Sequence, residues 1–279
     1  MPHQANERRV PNRVTRTVVL AAAVLLAWPQ ALRSEQVSVR HIEGLVHGFL
    51  VMRTVDGKII ARGDLTQGVN GSRVTTRMGF RFTDGSSHEE TTVFSQQGSF
   101  RLLHHRLVQK GRIFERPVDV SVDGRSGVVI VRYIDEDGDE KVETEQIDAP
   151  PDLANGMIST LLKNIDPAAP PRSVSYVAAT PKPRVIKLEI KSAGHATFST
   201  AGVRRKATHY VLEPELGGVA GVVAPLVGKQ PPDSHVWILG GDAPAFVRSE
   251  SPLFNGGPVV RIELVSPAWP TENEGTREP

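Results

Sequence analysis

The chain has no cysteine among its 279 residues. That absence removes a thiol nucleophile, a thiolate metal site, any disulfide and the lipid-bearing cysteine of a bacterial lipoprotein. Charge of one sign is also missing, since 33 basic residues face 31 acidic ones. No long apolar run follows residue 34, so nothing later in the chain is suited to cross a bilayer as a helix. Catalytic signatures are equally scarce: no Ser sits in a GxSxG elbow and no His pair has HExxH spacing. Gly228-Lys229 invites a phosphate loop, but Val223 stands where the first glycine belongs and Gln230 where Ser or Thr must bind magnesium.

What is present begins with Arg8, Arg9, Arg13 and Arg16 ahead of an uncharged apolar run over residues 18–28. The run holds 11 residues, inside the span of about 7 to 15 for a signal-peptide core and short of the roughly 20 for a spanning helix. The expectation is a signal peptide over residues 1–34, cut after Ala31 or Ser34, with an uncleaved amino-terminal anchor as the alternative. Val10-Pro11-Asn12 continues the arginine pair poorly for a twin-arginine signal, which favours the general secretory route. Cleavage after Ala31 takes away four arginines and Glu7, leaving 29 basic against 30 acidic residues. The processed chain then has no surplus charge to draw in nucleic acid or an anionic membrane surface. The expected location is periplasmic or secreted, without stable membrane insertion after cleavage.

From residue 41 to 147 short segments rich in Val, Ile, Thr and Phe alternate with turn signals. Asp56-Gly57, Asn70-Gly71, Asp84-Gly85, Gln97-Gly98, Asp123-Gly124 and Asp137-Gly138 suit tight hairpins, whose central residues take positive φ. Val74, Thr76, Met78, Phe80 and Phe82 share one face of a strand, while Arg73, Thr75, Arg77 and Arg81 share the other. Such connections leave no room for crossovers, so the sheet is expected to be antiparallel strand by strand. A helix is expected over residues 152–165, where Leu153, Met157, Ile158, Leu161, Leu162 and Ile165 recur at helical spacing. Asp148 or Asp152 would cap it, and Gly156 inside it suggests close approach to a packed partner. Strands resume at residue 185 after a Pro-rich stretch, 167–183, that is either a linker or a loop. A single β-rich domain over 35–270 and a disordered tail over 271–279 complete the expected organisation.

Few residues suggest chemistry. Asp135, Asp137 and Asp139 with Gly138 fail the calcium-loop pattern, because Gln146 occupies the place of the bidentate Glu. His104 and His105, like Glu89 and Glu90, are strand neighbours whose side chains point to opposite faces. His209, Asp233 and His235 remain as a metal set that could be assembled from separate positions. Tyr210, Trp237, Phe246, Phe254 and Trp269 concentrate near Gly and Pro loops, and could line a ligand groove or simply pack a core.

The Asp-Gly turns, the segment Pro151-Asp152-Leu153-Ala154-Asn155-Gly156 and the strands at Val236-Trp237-Ile238 and Arg261-Ile262-Glu263-Leu264 resemble a family of exported bacterial β-rich proteins of unassigned function. The resemblance implies no catalytic residue. By analogy of shape it points to the curved half-barrels, with a helix on the concave face, of envelope lipoprotein carriers. The expected fold is mainly β, a curved antiparallel sheet or half-barrel with one amphipathic helix. The expected function is a non-enzymatic exported binding module for a hydrophobic ligand or a cell-envelope partner, without cofactor, contacting its ligand through Tyr210, Trp237, Phe246 and Phe254. An exported metal-assisted hydrolase on His209, Asp233 and His235 is one alternative, and a structural envelope interaction protein is another.

Overall fold

The computed structural model describes residues 1, 36–169, 172–178, 180, 182–200, 203–215 and 231–265. The expected signal peptide beyond Met1, the tail 271–279 and Trp269 lie outside the described residues. Contacts divide the chain into units 1–31 and 32–279, and every described element belongs to the second.

Among the described residues fourteen strands form one sheet. They are β1 (Val46–Thr54), β2 (Ile59–Asn70), β3 (Arg73–Phe82), β4 (Ser87–Gln97), β5 (Ser99–Lys110), β6 (Val118–Asp123), β7 (Val128–Ile134) and β8 (Glu140–Gln146). After the helix α1 (Ile158–Asn164) come β9 (Arg172–Ala178), β10 (Arg184–Thr200), β11 (Val203–Glu215), β12 (Ser234–Leu239), β13 (Ala245–Pro252) and β14 (Val259–Val265). The order is β8-β7-β6-β5-β4-β3-β2-β1-β14-β13-β12-β11-β10-β9, antiparallel throughout. Every neighbour is a hairpin partner except β1 and β14, which join two meanders through Phe49 opposite Val265 and Thr54 opposite Val260. The sheet is curved and unclosed, with β8 and β9 as its outermost strands.

Turn chemistry explains the hairpins. Gly57, Gly71, Gly85, Gly98 and Gly138 all take positive φ at hairpin tips, where a side chain would be strained. Asp123-Gly124 differs. Gly127, not Gly124, has the positive φ, and Asp123 Oδ1 accepts the N–H groups of Arg125 and Ser126 in a longer loop.

The inner face carries two buried clusters. One joins Val74, Phe94, Phe100, Leu102, Val120 and Val131 to Val174, Ile190, Tyr210 and Val236 through Leu153, Met157, Leu161 and Leu162 of the α1 segment. The other gathers Leu50, Met52, Phe80, Phe82, Phe114 and Leu253. Burying each such side chain contributes about 1.5–3 kcal/mol, so α1 is held by its packing and not by its own length.

The helix is shorter than its spacing predicts. Residues 152–157 are turn and bridge, Met157 is the N-cap without a side-chain cap bond, and Gly156 takes φ +67°. Asp152 and Asn155 are engaged elsewhere: Ser175 Oγ donates to Asp152 Oδ1 at 2.8 Å, and Lys187 Nζ donates to Asp152 Oδ2 at 3.2 Å. The Asn155 amide pairs with both backbone groups of Val177, at 2.8 and 2.9 Å. Residues 152–155 therefore satisfy part of the β9 edge in place of a further strand. The other edge, β8, is exposed along its whole length and carries Glu140, Lys141, Glu143 and Glu145, charges that discourage pairing.

β9 falls inside the stretch 167–183, where no strand is expected from the sequence. β10 also runs ten residues past Ile190, to Thr200, through a register shift between Ser192 and His195 with Gly194 at φ +94°. No helix among the described residues is long and apolar enough to cross a membrane.

Candidate functional site

Between the two inner clusters the register sets one row of side chains. Leu65 on β2 faces Met78 on β3, Met78 faces Glu90 on β4, and Glu90 faces Leu107 on β5. All four point inward, yet each is only partly buried. The next inward row toward the first cluster, Thr92 and His105, is buried, and so is Phe80 toward the second. Leu107 packs in neither cluster. Leu65 and Met78 pack against the second cluster, so the row forms a partly buried belt with an apolar lining and one acid in it.

The electrostatics agree. Loss of solvent pushes the Glu90 carboxyl up to about 7, although 20% of its side chain remains accessible. His105, 3% exposed, lies 3.6 Å from Glu90 Oε1 through Nδ1 and shares a hydrogen bond of 3.2 Å with Thr92 Oγ1. Burial pushes His105 down to about 3 and His88 down to about 4, so both imidazoles are neutral at pH 7. Tyr176 comes from β9, the far edge of the sheet, and its phenol is raised first by burial and then by the nearby Glu90.

One buried polar atom at the belt is left over. Gln109 Nε2 donates to His88 Nδ1 at 3.2 Å and to the Leu253 carbonyl at 2.9 Å, while His88 Nε2 has no partner. Among the described residues neither the Tyr176 hydroxyl nor the Glu90 carboxyl makes a hydrogen bond, and Glu90 lies beside His105 and Tyr176. A buried polar atom without a partner costs about 1–3 kcal/mol, which water or a ligand offsets when present. The turn at Gly156 roofs this corner: a Cβ there would overlap Thr92 Oγ1 and stand 2.9 Å from both Glu90 Oε1 and His105 Nδ1.

Of the residues expected to contact ligand, Tyr210, Phe246 and Phe254 share the inner face of the sheet and Trp237 does not. Tyr210 is 2% exposed in the first cluster, with its hydroxyl donated to the Ile165 carbonyl at 3.3 Å. Phe246 packs between both clusters, and Phe254 meets Phe114 edge to face at 6.0 Å. Trp237 lies on the opposite face of the sheet, stacked on His209 at 4.5 Å with the Arg248 guanidinium 5.6 Å from its ring. Three of the four are packing residues of the interior and the fourth belongs to an outer ladder.

His209 and His235 do meet, with Nε2 and Nδ1 3.0 Å apart on neighbouring strands β11 and β12. Asp233 directly precedes β12. Among the described residues, however, no three His, Asp or Glu are grouped so that they could hold a metal ion. Asp135 likewise serves the β7–β8 tip, accepting the N–H groups of Asp137 and Asp139.

Glu90 was within reach of sequence reasoning. Alternation along β4 puts it on the face shared by Thr92 and Phe94, where an acid interrupts a buried register. Met78 and Leu107 carried no such signal, and Tyr176 lies on the unexpected β9.

No family model matches the chain, and no curated protein matches its sequence. Among solved structures it is similar to a β-barrel-like protein of a domain of unknown function, DUF1849, from Brucella abortus, at TM-score 0.40 and 10% identity over 81% of this chain and 98% of that one.

Proposed function

We propose that this chain is a non-enzymatic binding module, exported to the periplasm or beyond, that holds one apolar small molecule with a hydrogen-bonding end in the belt between its two inner clusters. The observation that carries the reading is the coincidence of a partly buried apolar row, Leu65, Met78 and Leu107, with a desolvated Glu90 carboxyl and the unpartnered His88 Nε2. Pockets for small molecules combine those two features, an apolar lining for affinity and a few polar atoms for orientation. Near pH 7 the belt has neutral imidazoles and a carboxyl close to half protonation, which suits a hydroxyl, amide or protonated acid better than a fixed charge.

Export rests on the arginine-led apolar run at residues 18–28. Protein purified from the producing cell and extracted into organic solvent tests the binding. An apolar compound recovered at about one per chain supports it, and an extract with no compound above the background of a similarly purified protein contradicts it.

A further inference from the structure

We propose that the outer wall built by β2 to β5 and the β6–β7 loop docks this protein reversibly on an anionic lipid bilayer, through Arg62, Arg73, Arg77, Arg101 and Arg125. All five are exposed and stand on the face opposite the buried Ala61, Val74 and Leu102, or in the loop beside it. Among the described residues none of their guanidinium groups has an ion pair or a hydrogen bond. Neighbouring cations on the same wall are neutralised: Arg81 pairs with Glu89 at 3.4 Å, and Arg106 pairs with Asp119 at 2.7 Å. Arg62 stands directly opposite Arg81 across β2 and β3, a like-charge pairing that weakens a sheet. Folding gives no reason for that wall.

Near its end lies a groove of about 520 Å³ lined by Ser72, Arg73, Ser95, Gln97, Arg101 and Arg125, with Leu103 beside them and no carboxylate among the lining residues. Asp123 is close by, but its Oδ1 is engaged by the backbone of Arg125 and Ser126. Guanidinium forks and hydroxyls match phosphate oxygens. The size of the array chooses the occupant. Arg62 and Arg101 are three strands apart and eight residues offset along them, roughly 30 Å, and Arg73 and Arg77 are four residues apart, roughly 13 Å. One small anion would engage the groove and leave Arg62 and Arg77 unused, whereas a bilayer presents many phosphates at once. Acids gather elsewhere, at Asp135, Glu136, Asp137, Asp139, Glu140, Glu143 and Glu145 around β8. A near-neutral total therefore conceals two walls of opposite sign.

The test is co-sedimentation of the full chain with phosphatidylglycerol vesicles and with phosphatidylcholine vesicles, read as the ratio of the two partition coefficients. At about 1 kcal/mol per arginine, the double variant Arg73→Gln/Arg101→Gln lowers that ratio about thirtyfold, and Arg62→Gln/Arg77→Gln lowers it to a similar degree. Raising salt from 50 to 500 mM does the same to the wild type, on the order of the loss expected when charges several ångströms from lipid are screened. All four residues are exposed, so an unchanged urea midpoint separates lost docking from lost fold. A ratio near one in the wild type overturns the proposal. So does an unchanged ratio in both variants, or full competition by millimolar inorganic phosphate, which would make the groove a small-anion site.

Discussion

Glu90→Gln keeps the shape of the side chain and removes its ability to ionise, and its effect on stability should depend steeply on pH. The wild-type carboxyl is raised from 4.5 to about 7 by loss of solvent. Between those values the folded protein keeps the proton while the unfolded chain has released it, so wild-type stability falls as pH rises through that window and levels off above pH 7. A shift of that size is worth about 3 kcal/mol, an upper figure because the side chain keeps 20% of its exposure. The glutamine variant escapes this loss. Expected gains over the wild type are about 1 kcal/mol at pH 5 and about 3 kcal/mol at pH 8. His88 and His105 act in the opposite sense, since their lowered pKa values contribute stability above pH 6.5 that is lost as pH falls toward 4. They are common to both proteins and cancel in the difference. Urea unfolding followed by far-UV circular dichroism at pH 5, 6, 7 and 8 reads the gain directly. A difference that stays flat within about 0.5 kcal/mol across the series would refute a desolvated Glu90.

Gly156→Ala should cost about 2–4 kcal/mol, from φ +67° together with overlap on Thr92, whereas Gly138→Ala, at φ +89° in open space, should cost about 1–2 kcal/mol; urea midpoints compare them. Asn155→Ala leaves the Val177 N–H and carbonyl unpaired beside a buried turn, and should lower stability by about 1–3 kcal/mol, with faster amide exchange confined first to β9. Leu107→Phe should be accommodated within about 1 kcal/mol because Leu107 is partly buried and packs in neither cluster, while Leu102→Phe, in the first cluster, should cost about 1–3 kcal/mol. Equal penalties at the two leucines would show that the belt is as full as the core.

Local turn chemistry made much of the fold legible. Asp56-Gly57, Asn70-Gly71, Asp84-Gly85 and Asp137-Gly138 each mark a hairpin tip, and alternation through Val74, Phe80 and Phe82 identifies the buried face of β3. Three features resisted. The pairing of β1 with β14 joins residues more than two hundred positions apart, for which a single sequence carries no signal. Residues 152–157 have helical spacing, but Gly156 adopts a left-handed turn, and Asp152 and Asn155 bond to β9 instead of capping a helix. β9 itself is short and lies among prolines, so its partner β10 defines it more than its own composition does.

The site was hidden for the same reason. Tyr210, Trp237 and Phe246 are conspicuous by residue type, yet large aromatics serve most often to fill cores and ladders, as Tyr210 does against Ile165 and Trp237 against His209. What distinguishes the belt is an acid in a buried register, and only the pairing of β2 to β5 reveals that Leu65, Met78, Glu90 and Leu107 form one row.

Native mass spectrometry of the wild type beside Leu107→Trp addresses the binding role most directly. The wild type, purified from the producing cell, should carry a non-covalent mass of a few hundred daltons that organic solvent removes, and the folded Leu107→Trp protein, its belt filled, should lack it. A wild type that flies at its bare polypeptide mass, or a Leu107→Trp variant that retains the same adduct, would contradict a ligand held between the two inner clusters.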